Sequence, residues 1–129
     1  MTFLKQNWFK VIILIIISIF GLYYFTKIVP ARELDNKIVY CRNLGEEYRK
    51  NETREAPNIS FLVPNYTYNK DLRTCIYSGG FIDGKLLNKY IIDLNTNTTI
   101  VDSYYQDTKF VGGLSTEEFN AKEKTLLNK

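Results

Sequence analysis

Four aspartates, Asp83, Asp93, Asp102 and Asp107, and two cysteines, Cys41 and Cys75, are the side chains best suited to chemistry in this sequence. Two carboxylates held at short range can divide acid and base work, and Asp93 and Asp102 are placed to approach each other across neighbouring strands. A plainer account is available for all four: Asp83 is a turn residue, and the others are charges on the solvent face of strands. The sequence has no histidine, which removes the commonest general base, the commonest zinc ligand and the usual pH switch near neutrality. Ser78-Gly79-Gly80 lacks the strand–turn–helix setting of a nucleophile elbow. It continues a strand instead of opening a helix, so it is no phosphate loop either. Asp35, Asn36 and the acids near them lack the spacing of a calcium loop. The expectation is a chain without catalytic residues, cofactor or metal.

The cysteines carry a different message. An even count in a small exported domain implies a disulfide, here Cys41 with Cys75. Closing a loop of that span stabilises a fold by about 3–4 kcal/mol on the chain-entropy model. A tetrahedral metal would be half-ligated by two cysteines alone, and no CxxC supports a redox enzyme.

The tyrosines Tyr66, Tyr68, Tyr77, Tyr90, Tyr104 and Tyr105 suit either strand packing or an aromatic surface for peptide or glycan. Among them Tyr66, Tyr68 and Tyr104 are the candidates for interaction. Four N-x-Ser/Thr triplets, at Asn51, Asn58, Asn65 and Asn97, are the pattern of glycan acceptors, one that an asparagine- and threonine-rich chain also produces by chance.

Positioning these groups falls to a short chain. Of its 129 residues, the first 29 or so are an apolar leader, which leaves about 100 for one domain. Val11 to Phe25 is unbroken but for Ser18 and Gly21, and adding Trp8, Phe9 and Thr26 brings it to the roughly 20 residues that cross a bilayer. Lys10 and Lys27 can snorkel to the two surfaces, while Trp8, Tyr23 and Tyr24 suit the interfaces. The reading is a single-pass anchor bounded by Trp8, Val11 and Phe25, with the lipid bilayer as its partner. Cleavage after a small-residue exit at Val29-Pro30-Ala31 is the rival, disfavoured because Lys27 interrupts that exit. A buried core helix is rejected, since so small a domain cannot cover it. Counting Lys and Arg around the run slightly favours the opposite orientation, but a short basic leader and the cysteine pair place the N-terminus inside. Lys5, Lys10 and Lys27 belong to the anchor; without them 14 bases face 14 acids. A neutral domain lacks the basic stripe a nucleic-acid binder needs.

Beyond Pro30, the spacing of Leu34, Ile38, Cys41, Leu44 or Gly45, and Tyr48 predicts an amphipathic helix ending near Asn51. Glu52 to Pro64 reads as an irregular crossing. Asp83-Gly84 between apolar runs predicts a hairpin with a type I′ turn, pairing Ile82 with Lys85 and Tyr77 with Tyr90. That register gathers Cys75, Tyr77, Phe81, Leu86, Tyr90, Ile92 and Leu94 on one face, where a helix carrying Cys41 would pack. The opposite face, with Thr74, Ile76, Ser78, Lys89, Ile91 and Asp93, is more mixed. An even turn at Asn95–Thr98 leads to a third strand whose Val101 and Tyr105 join the Cys75 face. Tyr66-Thr67-Tyr68 adds an edge strand. Ser115 with Glu118 forms a capping box and Leu114 with Phe119 a hydrophobic staple, opening a loosely docked final helix that runs to about Leu127.

The fold class is therefore α+β: a transmembrane helix, an amphipathic helix on a three-stranded antiparallel meander, and a short C-terminal helix. The segments are 1–29, leader and anchor; 30–113, helix-plus-sheet domain; and 114–129, C-terminal helix and tail. The functional expectation is an anchored extracytoplasmic module that contacts another envelope protein or a surface polymer. An apolar helix running into an amphipathic one packed on an antiparallel sheet also resembles the layout of type IV pilin-like proteins, which implies an assembly subunit. The processing motif of that family is missing from Met1 to Lys10, and no acid lies inside the apolar run.

Overall fold

The computed structural model describes residues 2–127. Met1 of the leader and Asn128 and Lys129 of the tail lie outside them, as do the side chains of residues 2–6, Lys5 included. The chain divides into two units, Met1–Asn36 and Lys37–Lys129.

In the first unit, α1 (Thr2–Tyr23) is 22 residues long, which at 1.5 Å per residue is ~33 Å. By length and composition it can cross a membrane. Trp8, Val11 and Phe25 are all exposed. A π turn at Tyr24–Ile28 follows, in which the Val29 N–H donates to the Tyr24 carbonyl. Pro30 explains it: proline has no N–H for Thr26 and its ring crowds that carbonyl, a misfit that a wider turn absorbs.

α2 (Val29–Glu55) runs one turn beyond the expected end at Asn51. Tertiary contact prolongs it, because Glu52 is bonded by two tyrosines of the sheet. Pro57 then stops it, since the residue before a proline is driven out of helical conformation.

The second unit contains six strands rather than three: β1 (Ser60–Phe61), β2 (Asn65–Asn69), β3 (Thr74–Asp83), β4 (Leu86–Asp93), β5 (Thr98–Gln106) and β6 (Lys109–Gly113). All pair antiparallel in the order β1-β3-β4-β5-β6, with β2 also beside β3. The expected meander is its centre. The edge strands β1 and β6 were too short, and β6 too glycine-rich, to show an alternation.

The hairpin register differs from the expected one by two residues. Asp83 pairs with Leu86 and Tyr77 with Ile92, because the turn residues are Gly84 and Lys85. Only Gly84 has positive φ, +58°, as a type II′ turn requires and a type I′ turn does not. A shift of two preserves the faces, so Cys75, Tyr77, Tyr90, Ile92 and Leu94 form the core under α2 with Phe81 packed against it, while Leu86, at the hairpin end, is not part of that core.

The third strand is different. Its four-residue turn has the expected parity, but Ile91 pairs with Val101 while Ile92 pairs with Thr99. The extra residue, Ile100, is a β-bulge. It moves Val101 and Tyr105 off the Cys75 face and onto the other, against Ile91 and Leu87. The same bulge puts Asp102 opposite Tyr90.

α3 (Thr116–Leu126) opens on the expected capping box: the Ser115 hydroxyl accepts from the Glu118 N–H at 3.4 Å, and the Glu118 carboxylate accepts from the Ser115 N–H at 3.1 Å. It is firmly docked, not loosely. Phe119, Leu126 and Leu127 are buried against Ile76, Ile91 and Val101, and Asn69 Nδ2 donates to the Leu126 carbonyl at 2.6 Å. The face expected to be mixed is thus a second core, and the sheet lies between two helices.

Candidate functional site

The structure does not bring Asp93 and Asp102 together, because the bulge sets them on opposite faces of the sheet. Asp93 accepts from the Thr74 hydroxyl at 2.6 Å and caps the following turn through the Asn95 N–H at 2.9 Å. Asp107 pairs with Lys85 at 2.9 Å on the surface, and Asp83 ends β3 exposed. Among the described residues no group of three metal-ligating side chains occurs.

Cys41 and Cys75 are joined as a disulfide, their Cα atoms 5.2 Å apart and both fully buried. It ties the middle of α2 to the start of β3. The tyrosine candidates lie on the α2 face at two separate places. Tyr66 packs its ring on Gly45, where an added Cβ would come within 2.8 Å of it, and its hydroxyl donates to Glu46. Tyr68 has the Lys37 ammonium over its ring. Tyr104 lies on β5, beyond β3 and β4, and its hydroxyl donates to Asp102 at 3.1 Å.

The centre of that face is a polar cluster. Tyr77 donates to Glu52 Oε2 at 2.9 Å and Tyr90 donates to Oε1. The Tyr77 ring stacks with that of Tyr90 and meets Tyr48 at 5.0 Å between centroids. Burial holds both phenols well above the usual tyrosine pKa, and the charge of Glu52 and its hydrogen bonds hold them further up. Tyr48 is raised by burial first and then by Glu52 and Glu55. Gly79 makes room for the arrangement, since a Cβ there would stand 2.5 Å from the Tyr77 ring. Sequence reasoning missed Glu52 by assigning it to an irregular crossing. The signal was present: Glu52 continues the stripe of Cys41, Gly45 and Tyr48 at spacings of four, three and four.

The opposite face is apolar. Ile82, Leu87, Tyr105 and Phe110 form one row across β3, β4, β5 and β6 by register. α3 starts at Thr116 and covers Ile76, Ile91 and Val101 nearer the other end of the sheet, leaving that row uncovered. Between the row and Thr116 lies a groove of about 630 Å³, with Lys85 and Lys89 at its rim. Ile82 is 42% and Phe110 50% exposed, more than a packed core row would be.

The groove takes in Asp107 and Thr108 of the turn that leads into β6, and β6 is an open sheet edge. β6 has one neighbour, β5, and Val111 is 62% exposed along it. Edge strands usually carry a proline or a run of charge that discourages pairing. The β1–β2 edge has Pro64 between its two short strands, whereas β6 has only Lys109 and the terminal glycines.

No family model, curated protein or solved structure matches this chain. Its function must therefore be argued from the groove, the edge and the cluster themselves.

Proposed function

We propose that this protein is a membrane-anchored, non-catalytic interaction domain that faces the extracytoplasmic side and holds an extended segment of another envelope protein. The observation that carries this reading is the uncovered apolar row beside the open edge of β6. An extended chain added to β6 would gain backbone hydrogen bonds from the edge and place alternate side chains over the groove. A groove lined by Ile82, Leu87 and Tyr105, with Lys89 beside it and Lys85 already paired with Asp107, favours apolar side chains with an acidic one near Lys89. The disulfide supports the compartment, since such bonds persist in oxidising surroundings. The apolar α1 supports retention at the bilayer.

The test has two arms. An impermeant maleimide on intact cells should label Cys41 and Cys75 only after reduction. Labelling that needs lysis but no reductant would overturn the location. A photo-crosslinking residue at Val111 should give one discrete adduct in native membranes, lost when Leu87→Lys fills the groove with charge. A smear of adducts unchanged by Leu87→Lys would overturn the docking site.

A second reading, an assembly subunit, draws on α2 packing against the sheet after an apolar helix. Recovery of the protein only as monomers from membranes would sink it. A mature N-terminus downstream of Val29 would instead show a domain released by cleavage.

A further inference from the structure

The face of the sheet opposite the groove has a cleft of its own, between the C-terminal half of α2 and strands β4 and β5. Its volume is about 270 Å³, just below the roughly 300 Å³ at which sites for whole small molecules begin. It therefore has room for a single chemical group. The charged groups around it are of one sign. Glu52 and Asp102 bring carboxylates from either side, and Thr99 brings a hydroxyl. Asn88, only 8% exposed, is among the residues that line it, and its buried Oδ1 has no hydrogen-bond partner. A buried acceptor left unpaired costs about 1–3 kcal/mol, so its presence at a cleft calls for a donor from outside. The rest of the wall is aromatic: Tyr48, Tyr90 and Tyr104 line it.

Acceptors and π faces together select a cation. No Lys or Arg lines the cleft, and among the described residues the Glu52 carboxylate has no cationic side chain within 4.0 Å. The Arg49 guanidinium lies over the Phe61 ring of β1, 4.6 Å from its centroid, and its charge also reaches the Tyr77 phenol, outside the cleft lining. With two carboxylates and no histidine or cysteine in its wall, the cleft serves a soft or borderline metal ion poorly. An ammonium group fits better. Its three N–H donors match Asn88 Oδ1 and the free lone pairs of the two carboxylates, and its methylenes match the tyrosine rings.

We infer that this cleft binds a primary alkylammonium group, carried either by a free amine or by a lysine side chain of a partner. The site is separate from the groove on the other face, so it stands or falls independently of the proposed function.

The experiment is an NMR titration of the full chain in detergent micelles, with three probes: n-butylammonium, Nα-acetyl-lysine methylamide, and n-butanol as a neutral analogue. The ammonium probes should shift the Asn88 side-chain amide and the Tyr104 ring resonances saturably in the millimolar range, while n-butanol does not. Equal binding of both ammonium probes assigns the site to any alkylammonium. Binding of the lysine amide alone assigns it to a polypeptide side chain. Asp102→Asn, on the open side of the cleft, should weaken binding by roughly fivefold or more. Glu52→Gln should do the same, provided its amide spectrum remains folded. The inference is overturned by the absence of a saturable shift up to tens of millimolar. Equal shifts with n-butanol, or unchanged binding to Asp102→Asn, would overturn it as well.

Discussion

Against α2 the sheet buries a disulfide and two tyrosine rings, with Tyr48 and a carboxylate held by two phenols half-buried beside them. Against α3 it buries Ile76, Ile91 and Val101 under Phe119, Leu126 and Leu127, with no ionisable side chain in that core. The first contact is set by position, because a disulfide and a hydrogen bond each tolerate only a narrow geometry. The second is set by area, because apolar burial is non-directional. The difference bears on function. A face fixed by directional bonds can keep a small polar cleft open at a constant shape. A face closed by area alone leaves whatever its helix is too short to cover, here the row from Ile82 to Phe110.

If the α3 face rests on area, removing its largest contributor should do the most harm. Phe119→Ala is expected to cost about 3–5 kcal/mol, read from urea unfolding. A loss under about 1 kcal/mol would show that α3 is an accessory and not half of the fold.

The contrast predicts a slightly smaller loss on the other side. Replacing Cys41 and Cys75 together by alanine opens a loop of 34 residues and should lower stability by about 3–4 kcal/mol. Hydrogen exchange should speed more in α2 than in α3. Equal acceleration of both helices would mean that the two faces open as one unit.

The smallest effect sharpens the comparison by pH. The Tyr77 and Tyr90 phenols are held neutral in the fold, above their ordinary pKa near 10. Their contribution is therefore complete below pH ~10 and falls as the pH rises beyond it, where the unfolded chain ionises first. The α2 face should loosen in alkali before the α3 face does, followed by phenolate absorbance and by exchange. Gly79→Ala displaces the Tyr77 ring and should bring that transition to lower pH, at a cost of about 1–3 kcal/mol near neutrality. An alkaline transition that is unmoved in this variant would separate Tyr77 from the cluster.

Much of the α2 face was legible because it is built from repeating signals. The stripe through Cys41 has helical spacing, the strands alternate, and an error of two in the hairpin register leaves every side chain on its own face. The third strand failed for the same reason of parity. One bulged residue, Ile100, is enough to exchange the faces of Val101, Asp102 and Tyr105, and nothing local in Thr99-Ile100-Val101 marks it. The edge strand expected at Tyr66-Thr67-Tyr68 is β2, but β1 and β6 were invisible because β1 has two residues and β6 ends in two glycines, too little for periodicity to register.

The candidate sites divide in the same way. The disulfide partners, the apolar α1, the capping box at Ser115 and the absence of histidine were determined by the sequence itself, since each depends on residue type or on spacing along one element. The cleft around Asn88, the phenols on Glu52 and the uncovered row on the α3 face were decided by tertiary structure alone. They depend on which strand lies beside which, and on how far a helix reaches across a sheet. Those are distances through space, which the spacing of residues along the chain does not contain.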